Sequence, residues 1–469
     1  MKYWGNSVVV TLMILALLLL AAMGLRLIFP PLKKWAIPVS ILAGVLGFFL
    51  GPDVAGLLPL DREVLEVIVY HGLAIMFIAI SLQSPARTKG HVAGGVRSFT
   101  FGIPFMQALQ TFLGLLIILS LGLALGEAVH PGIGVMLTLG FEEGPGQALA
   151  LGAAWEENGM KDGAQIGLII AALGYAWSVF LGVPLAIYGR HKGWVSKPPE
   201  VAVELEAAGE GEALEAPGAL DSLTLQGVVV LGVYGITWLV CMGLSTALAG
   251  MPDIASAVWG FHFMIGAGVA LGVRPLLDRL PGGTPVNDKL VTRLSGVAVD
   301  VMTCASLAAV QLAVFQANWV TVVLVTTLGG VATLIAVLYF ASRAFPDAPF
   351  EHALVWFGMS TGTLAMGLAL LRIVDPDLKS PAPVTTVLGS AGAIVFAAPI
   401  LVAGIPMTVA AFPERYPLYG WLAMGVFLIY GLILVGVWRK FAPLRFHGKI
   451  TQLWWRPAET SAEASEGSA

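Results

Sequence analysis

Cysteine and charge are what this sequence has least of. Only two cysteines, Cys241 and Cys304, occur in 469 residues, and each sits inside its own apolar run. That leaves no disulfide framework and no cysteine metal cluster. Charged residues make up 12% of the chain, about half the share usual in soluble domains. The formal net charge of −4 is carried by loops and a tail and says little about partners. Nothing points to nucleic acid. Neither His-Glu-x-x-His nor the Gly-Lys-Ser/Thr ending of a P-loop occurs, so the chain is read as a non-enzyme that does no ATP-driven work.

What fills the chain is hydrocarbon. Hydrophobic residues account for 57%, and the mean hydropathy is +0.86. Many runs exceed the roughly 20 apolar residues that cross a bilayer. The run Ser7 to Phe29 is too long for a secretory signal and lacks a basic leader and a small-residue cleavage site, so it reads as a first span. Further spans are expected near 36–58, 65–83, 99–125 and 163–189 in the first half. The second half gives 223–248, 255–273, 294–317, 319–342 and 384–411, followed by an extra span at 417–438. Two apolar segments are left over, 131–157 and 350–372, each just before the fifth span of its half. Both read as re-entrant hairpins.

Basic residues set the orientation. With the N-terminus outside, 21 of the 25 fall on the cytoplasmic side and 4 outside (Lys2, Arg62, Lys161 and Arg415). The expectation is a protein of the cytoplasmic (inner) membrane, N-terminus out and C-terminus in. Five spans per half turn the chain over, so residues 1–190 and 222–411 would form an inverted repeat. The fold class expected is all-α integral membrane: two inverted five-helix repeats, each with a re-entrant hairpin, plus one extra C-terminal helix. An acidic linker at 191–221 joins the halves, and 412–469 carries the extra helix and a tail.

The leftover segments hold the chemistry. Gly140-Phe141-Glu142-Glu143-Gly144-Pro145-Gly146 is the first polar patch and Gly358-Met359-Ser360-Thr361-Gly362-Thr363 the second. An offset of 218 pairs Gly140 with Gly358, Gly144 with Gly362, and Gly174 with Gly392. Broken helices expose N–H groups that attract carboxylates and carbonyls that suit Na⁺. Small residues also let helices pack closely in lipid, which is the competing explanation. The candidates for substrate binding are Glu143, Gly144, Gly146, Ser360, Thr361, Gly362, Thr363 and Arg372. Those for ion binding or coupling are Gly140, Glu142, Glu143, Gly358 and Asp300. Carboxylates at bilayer depth cost several kcal/mol, which makes Glu142 and Glu143 functional hypotheses unless the hairpin tip is shallow and wet. Arg372 could bind an anion or snorkel to the interface. His71 and His262 read as relay candidates or, more simply, as satisfied helix contacts.

The stretch Gly140 to Arg190, with Gly182-Val183-Pro184 near its end, resembles the first re-entrant loop and following helix of the sodium/glutamate symporter family. Trp356-Phe357-Gly358 through Pro381 resembles the second, with Gly358, Gly362 and Thr363 in the expected places. Phe77 to Leu82 and Asp300 to Leu307 are similar at a looser level, and the resemblance runs over roughly residues 1 to 411. It implies a homodimer in the lipid bilayer whose ten-span inverted-repeat core moves an amino acid with Na⁺ as coupling ion, by an elevator-like displacement. Two departures stand out. Glu142-Glu143-Gly144-Pro145 replaces the family's Gly-His-Gly-Thr, and Leu364 stands where a Pro-Thr continuation is usual. On the residues alone, a proton-coupled carrier or cation exchanger using Glu142 or Glu143 stays open, as does a channel or non-transporting sensor.

Overall fold

A computed structural model describes residues 6–35, 37–83, 93–126, 129–196, 220–281, 284–400, 418–442 and 444–445. Among them every regular element is helical. Apart from a short helix at Pro30–Lys34, the helices are α1 (Ser7–Ile28), α2 (Val39–Leu50), α3 (Arg62–Ser81), α4 (Ala93–Leu125), α5 (Gly132–Thr138), α6 (Pro145–Glu156) and α7 (Gly163–His191). They continue with α8 (Ser222–Ala247), α9 (Pro252–Gly260), α10 (His262–Leu277), α11 (Asp288–Ala308), α12 (Leu312–Ala344), α13 (Pro349–Val374), α14 (Ala382–Pro399) and α15 (Leu418–Phe441). Ten described helices are long and apolar enough to cross a membrane, which makes the chain membrane-integral. Most of the acidic linker, the tail beyond the extra helix and the last turns of the expected span 384–411 lie outside the described residues.

Two expected spans are shorter than hydropathy suggests. The one at 36–58 is helical only over Val39–Leu50, because Gly51-Pro52 ends it. The one at 255–273 is split into α9 and α10 at Phe261.

Helix starts are set by side-chain caps. Asn6 accepts from Val8 N at 3.0 Å, and Asp221 accepts from Leu223 N at 2.9 Å. Asp61 caps α3 through Val64 N, and Asn287 caps α11 through Leu290 N. Each such cap is worth about 1 kcal/mol. The capped helices are α1, α3, α8 and α11.

Two groups of helices build the interior. Residues of α1, α2, α3, α8, α10 and α11 surround Leu15, Leu65, Phe263 and Val291. Residues of α4, α5, α12, α13, α14 and α15 surround Leu115, Phe141, Trp356 and Trp438. Helices α6 and α7 serve both, and Ile41, Tyr175, Leu307 and Met366 meet at the seam.

Within each group glycine lets backbones touch. A Cβ at Gly114 of α4 would lie 1.9 Å from the Gly134 carbonyl oxygen of α5. At Gly152 of α6 it would lie 2.3 Å from Gly163 O. In lipid, where apolar burial drives little association, such close approach is what holds helices together. Gly114→Ala is expected to force α4 and α5 apart at a cost of about 3 kcal/mol. Gly24→Ala, with nothing within 4 Å, should be neutral or up to about 1 kcal/mol stabilising. Thermal unfolding of both variants in detergent checks this; equal midpoints would overturn the packing assignment.

Candidate functional site

The first leftover segment is a broken helix. After α5 the chain widens into a π-turn at Leu139–Glu143, then reaches Gly144 at φ 92°, ψ 178°. Helix α6 starts at once, with Pro145 in its first turn, where a missing N–H costs nothing. The chain doubles back: a Cβ at Gly132, where α5 begins, would lie 2.8 Å from the Met160 sulfur beyond the end of α6.

Helix α13 breaks in the same way. Gly362 is extended, and Thr363 sits at φ 81°, ψ 163°. Past the break the second arm returns along the first. A Cβ at Gly367 would lie 2.4 Å from the Val355 carbonyl, whereas an unbroken helix would hold those residues about 18 Å apart. Gly144 and Thr363 thus share one backbone conformation, in a region that is essentially glycine's. They also touch: a Cβ at Gly144 would lie 2.9 Å from Thr363 Cγ2. The two breaks meet inside the protein.

The arms that follow them, starting at Pro145 and Leu364, begin at this meeting point. Their first-turn N–H groups and the positive ends of their dipoles therefore face it. Glu142 and Glu143 close the preceding arm from the other side. The Gln107 side-chain amide of α4 donates to Glu143 Oε1, and Gln147 reaches the same carboxylate. Glu142 is only 8% exposed, and neither of its oxygens has a hydrogen-bond partner. Gln110 Nε2 donates to Ser360 O at 2.8 Å and to Thr333 Oγ1 at 3.1 Å, tying α4 and α12 to the second break. Ser178, in a second π-turn at Ser178–Gly182 of α7, shares a 2.5 Å hydrogen bond with Thr361 Oγ1. Thr361 in turn donates to Phe357 O at 2.8 Å. Thr303 and Thr363 lie beside the Tyr175 hydroxyl.

Of the residues expected from sequence, Gly140, Glu142, Glu143, Gly144 and Gly146 flank the first break, and Gly358 and Ser360 to Thr363 the second. Arg372 is exposed, about 13 Å along the helix from the break. Asp300 is exposed on α11. Neither joins the meeting point. His262 stacks on Tyr70 at 3.8 Å and its two nitrogens lie against Trp259 O and Tyr70 O, a neutral ring donating to one of them, so it is a helix contact. His71 is paired with the Tyr234 hydroxyl at 2.5 Å.

Gln107, Gln110, Gln147, Ser178 and Thr333 were not among the expected residues. Their signal was a buried polar side chain within an apolar run. The run Gly358-Met359-Ser360-Thr361-Gly362 also spells the Gly-x-Ser-x-Gly of a hydrolase nucleophile elbow. That device needs a strand-to-helix turn, whereas Ser360 lies within a helix and no strand occurs among the described residues.

No protein-family model and no curated protein matches the chain.

The shared backbone conformation predicts opposite responses at the two breaks. Gly144→Ala should lower stability by about 2 kcal/mol, through strain and collision with Thr363. Thr363→Gly should be neutral or stabilise by up to about 1 kcal/mol, strain relief outweighing the entropy of a freer chain. Detergent-solubilised thermal unfolding reads both; a strongly destabilised Thr363→Gly would show that the strain assignment is wrong.

Proposed function

We propose that this chain is a secondary active transporter in which the two broken segments are re-entrant hairpins holding the substrate between their tips. The observation that carries it is the contact of Gly144 with Thr363, two breaks of one conformation brought together inside a membrane protein. Irregular backbone at membrane depth is tolerated where it is buried or lines a cavity, and paired breaks in the two halves mark the binding sites of secondary transporters.

An inverted repeat is supported by recurrences along the chain. Helices α4 and α12 both have 33 residues and start 219 apart. The same interval separates α7 from α14, and Pro145 from Leu364. It is 219 rather than the 218 of the glycine pairs, so Gly144 corresponds to Thr363 and not to Gly362. The seam between the two helical groups, with Tyr175 and Met366 in it, suits an elevator-like movement of one group along the other.

The charge layout favours a zwitterion. Helix N-termini face the meeting point from two arms, and a carboxylate, Glu143, faces it from a third. An α-amino acid offers the matching carboxylate and ammonium. Together with the family resemblance, this supports Na⁺-coupled symport of glutamate or a related amino acid or carboxylate, by a homodimer in the cytoplasmic membrane. A second reading, a proton-coupled carrier or cation exchanger, draws on the unpartnered carboxylate of Glu142.

Uptake of labelled glutamate into proteoliposomes, with competitors and imposed Na⁺ or proton gradients, tests the proposal. The expected result is saturable, Na⁺-driven uptake that shows countertransport and falls at least about tenfold in Glu143→Gln, as for a lost charge-assisted contact. Proton-driven flux of another solute would shift the assignment to the second reading. Conduction without saturation would mean a channel.

A further inference from the structure

The seam between the two helical groups is closed at one level of α11 and open beyond it. Leu307, 6% exposed, packs there with Ile41 of α2, Tyr175 of α7 and Met366 of α13. Every residue of α11 from Met302 to Ala308 is buried. Counting back from Leu307 by 7, 11, 14 and 18 positions gives Asp300, Gly296, Arg293 and Lys289. Those intervals return to the same side of a helix. All four residues are exposed. A Cβ at Gly296 would meet nothing within 4 Å. The side of α11 that seals the seam at Leu307 is therefore bare from Asp300 back to the start of the helix.

Lipid is a poor cover for this surface. Asp300 lies 12 residues into α11, about 18 Å along its axis. It has no ion-pair partner among the described residues. A carboxylate so deep is costly against hydrocarbon, and such groups face the protein interior or a water-filled cavity. The bare surface also leads to the site. Thr303, on the next turn, lies with Thr363 of the second break beside the Tyr175 hydroxyl. Water that reaches Asp300 is thus one turn of α11, about 4.5 Å of rise, from the level of the meeting point.

We propose that the exposed side of α11 from Lys289 to Asp300 lines a water-filled crevice through which solute reaches the meeting point, with Asp300 as its threshold. The crevice opens on the side where α11 starts, and the buried run from Met302 onward closes the other. A carboxylate at the threshold favours solutes that lead with an ammonium group, which Glu143 then receives. The crevice rests on the transporter reading above for its role and adds to it a route and a filter.

Cysteine labelling of the full-length protein in sealed proteoliposomes of known orientation is the test. The probes are two membrane-impermeant methanethiosulfonates, one cationic and one anionic. Gly296→Cys and Asp300→Cys should label at least about tenfold faster than Leu239→Cys, at an exposed leucine of α8, because the thiolate reacts and needs water to form. Labelling should come from the side that labels Arg279→Cys, in the turn before α11. Wild type, whose Cys241 and Cys304 are buried, should stay unlabelled. Adding Asp300→Asn to Gly296→Cys should cut the preference for the cationic reagent about threefold or more, as for a unit charge lost one turn away. Labelling no faster than at Leu239→Cys, or from the opposite side, overturns the crevice. An unchanged reagent preference overturns the threshold. If Gly296→Cys does not fold, Arg293→Cys on the same stripe takes its place. Fast one-sided labelling in a protein that shows no solute flux would sink the transport reading and leave the crevice standing. Gradient-driven flux with both cysteines unlabelled would do the reverse.

Discussion

Everything at the centre of this protein follows from the lack of water in a bilayer. Backbone N–H and C=O groups there must find partners within the protein, so a helix that stops halfway is stable only when other helices surround its ends. Two helices break inside the protein here, at Gly144 and Thr363, and both breaks are enclosed by α4, α7 and α12. Glycine also brings an enclosing helix right up to a break: a Cβ at Gly174 of α7 would lie 2.3 Å from Thr361 O. The π-turns at Leu139–Glu143 and Ser178–Gly182 fit the same picture, since such turns gather at functional positions.

Enclosure makes charge at the meeting point matter. Donors come from two helix N-termini and from the Gln107 and Gln110 amides, while acceptors come from Glu142, Glu143 and the neighbouring hydroxyls. Glu143 is matched and Glu142 is not. In a low-dielectric site that difference counts, because an unmatched buried carboxylate has to be neutralised, by a proton or by a cation. Two adjacent residues of one type thus have different chemistry, set by which of them the α4 glutamine reaches.

Much of the architecture was legible in the sequence because lipid imposes a coarse grammar. Runs of apolar residues gave α1, α3, α7, α8 and α15 within a few residues, α4 and α12 were expected to start later than Ala93 and Leu312, and glycine clusters located both breaks. The short helix α2 and the split between α9 and α10 were not legible, since hydropathy registers apolar residues and not the Gly51-Pro52 stop or the turn at Phe261. The site was half visible. Glu142 and Glu143 announced themselves as charges in an apolar run, but Gln107, Gln110 and Ser178 are uncharged and resemble the polar residues that tie membrane helices together. Only their partners distinguish them. Arg372 failed for the opposite reason: a basic residue one helix away from a break in sequence lies at the far end of that helix in space.

The glycine spacing and the backbone differ by one residue: in conformation it is Thr363, not Gly362, that matches Gly144. The two positions are in contact, and a Cβ on Gly144 would come within 2.9 Å of the threonine methyl. Two threonines could not fit, so at most one of the two positions can carry a side chain. A threonine is held there in a conformation costing about 1–3 kcal/mol, and that cost has to be met by the contacts around it.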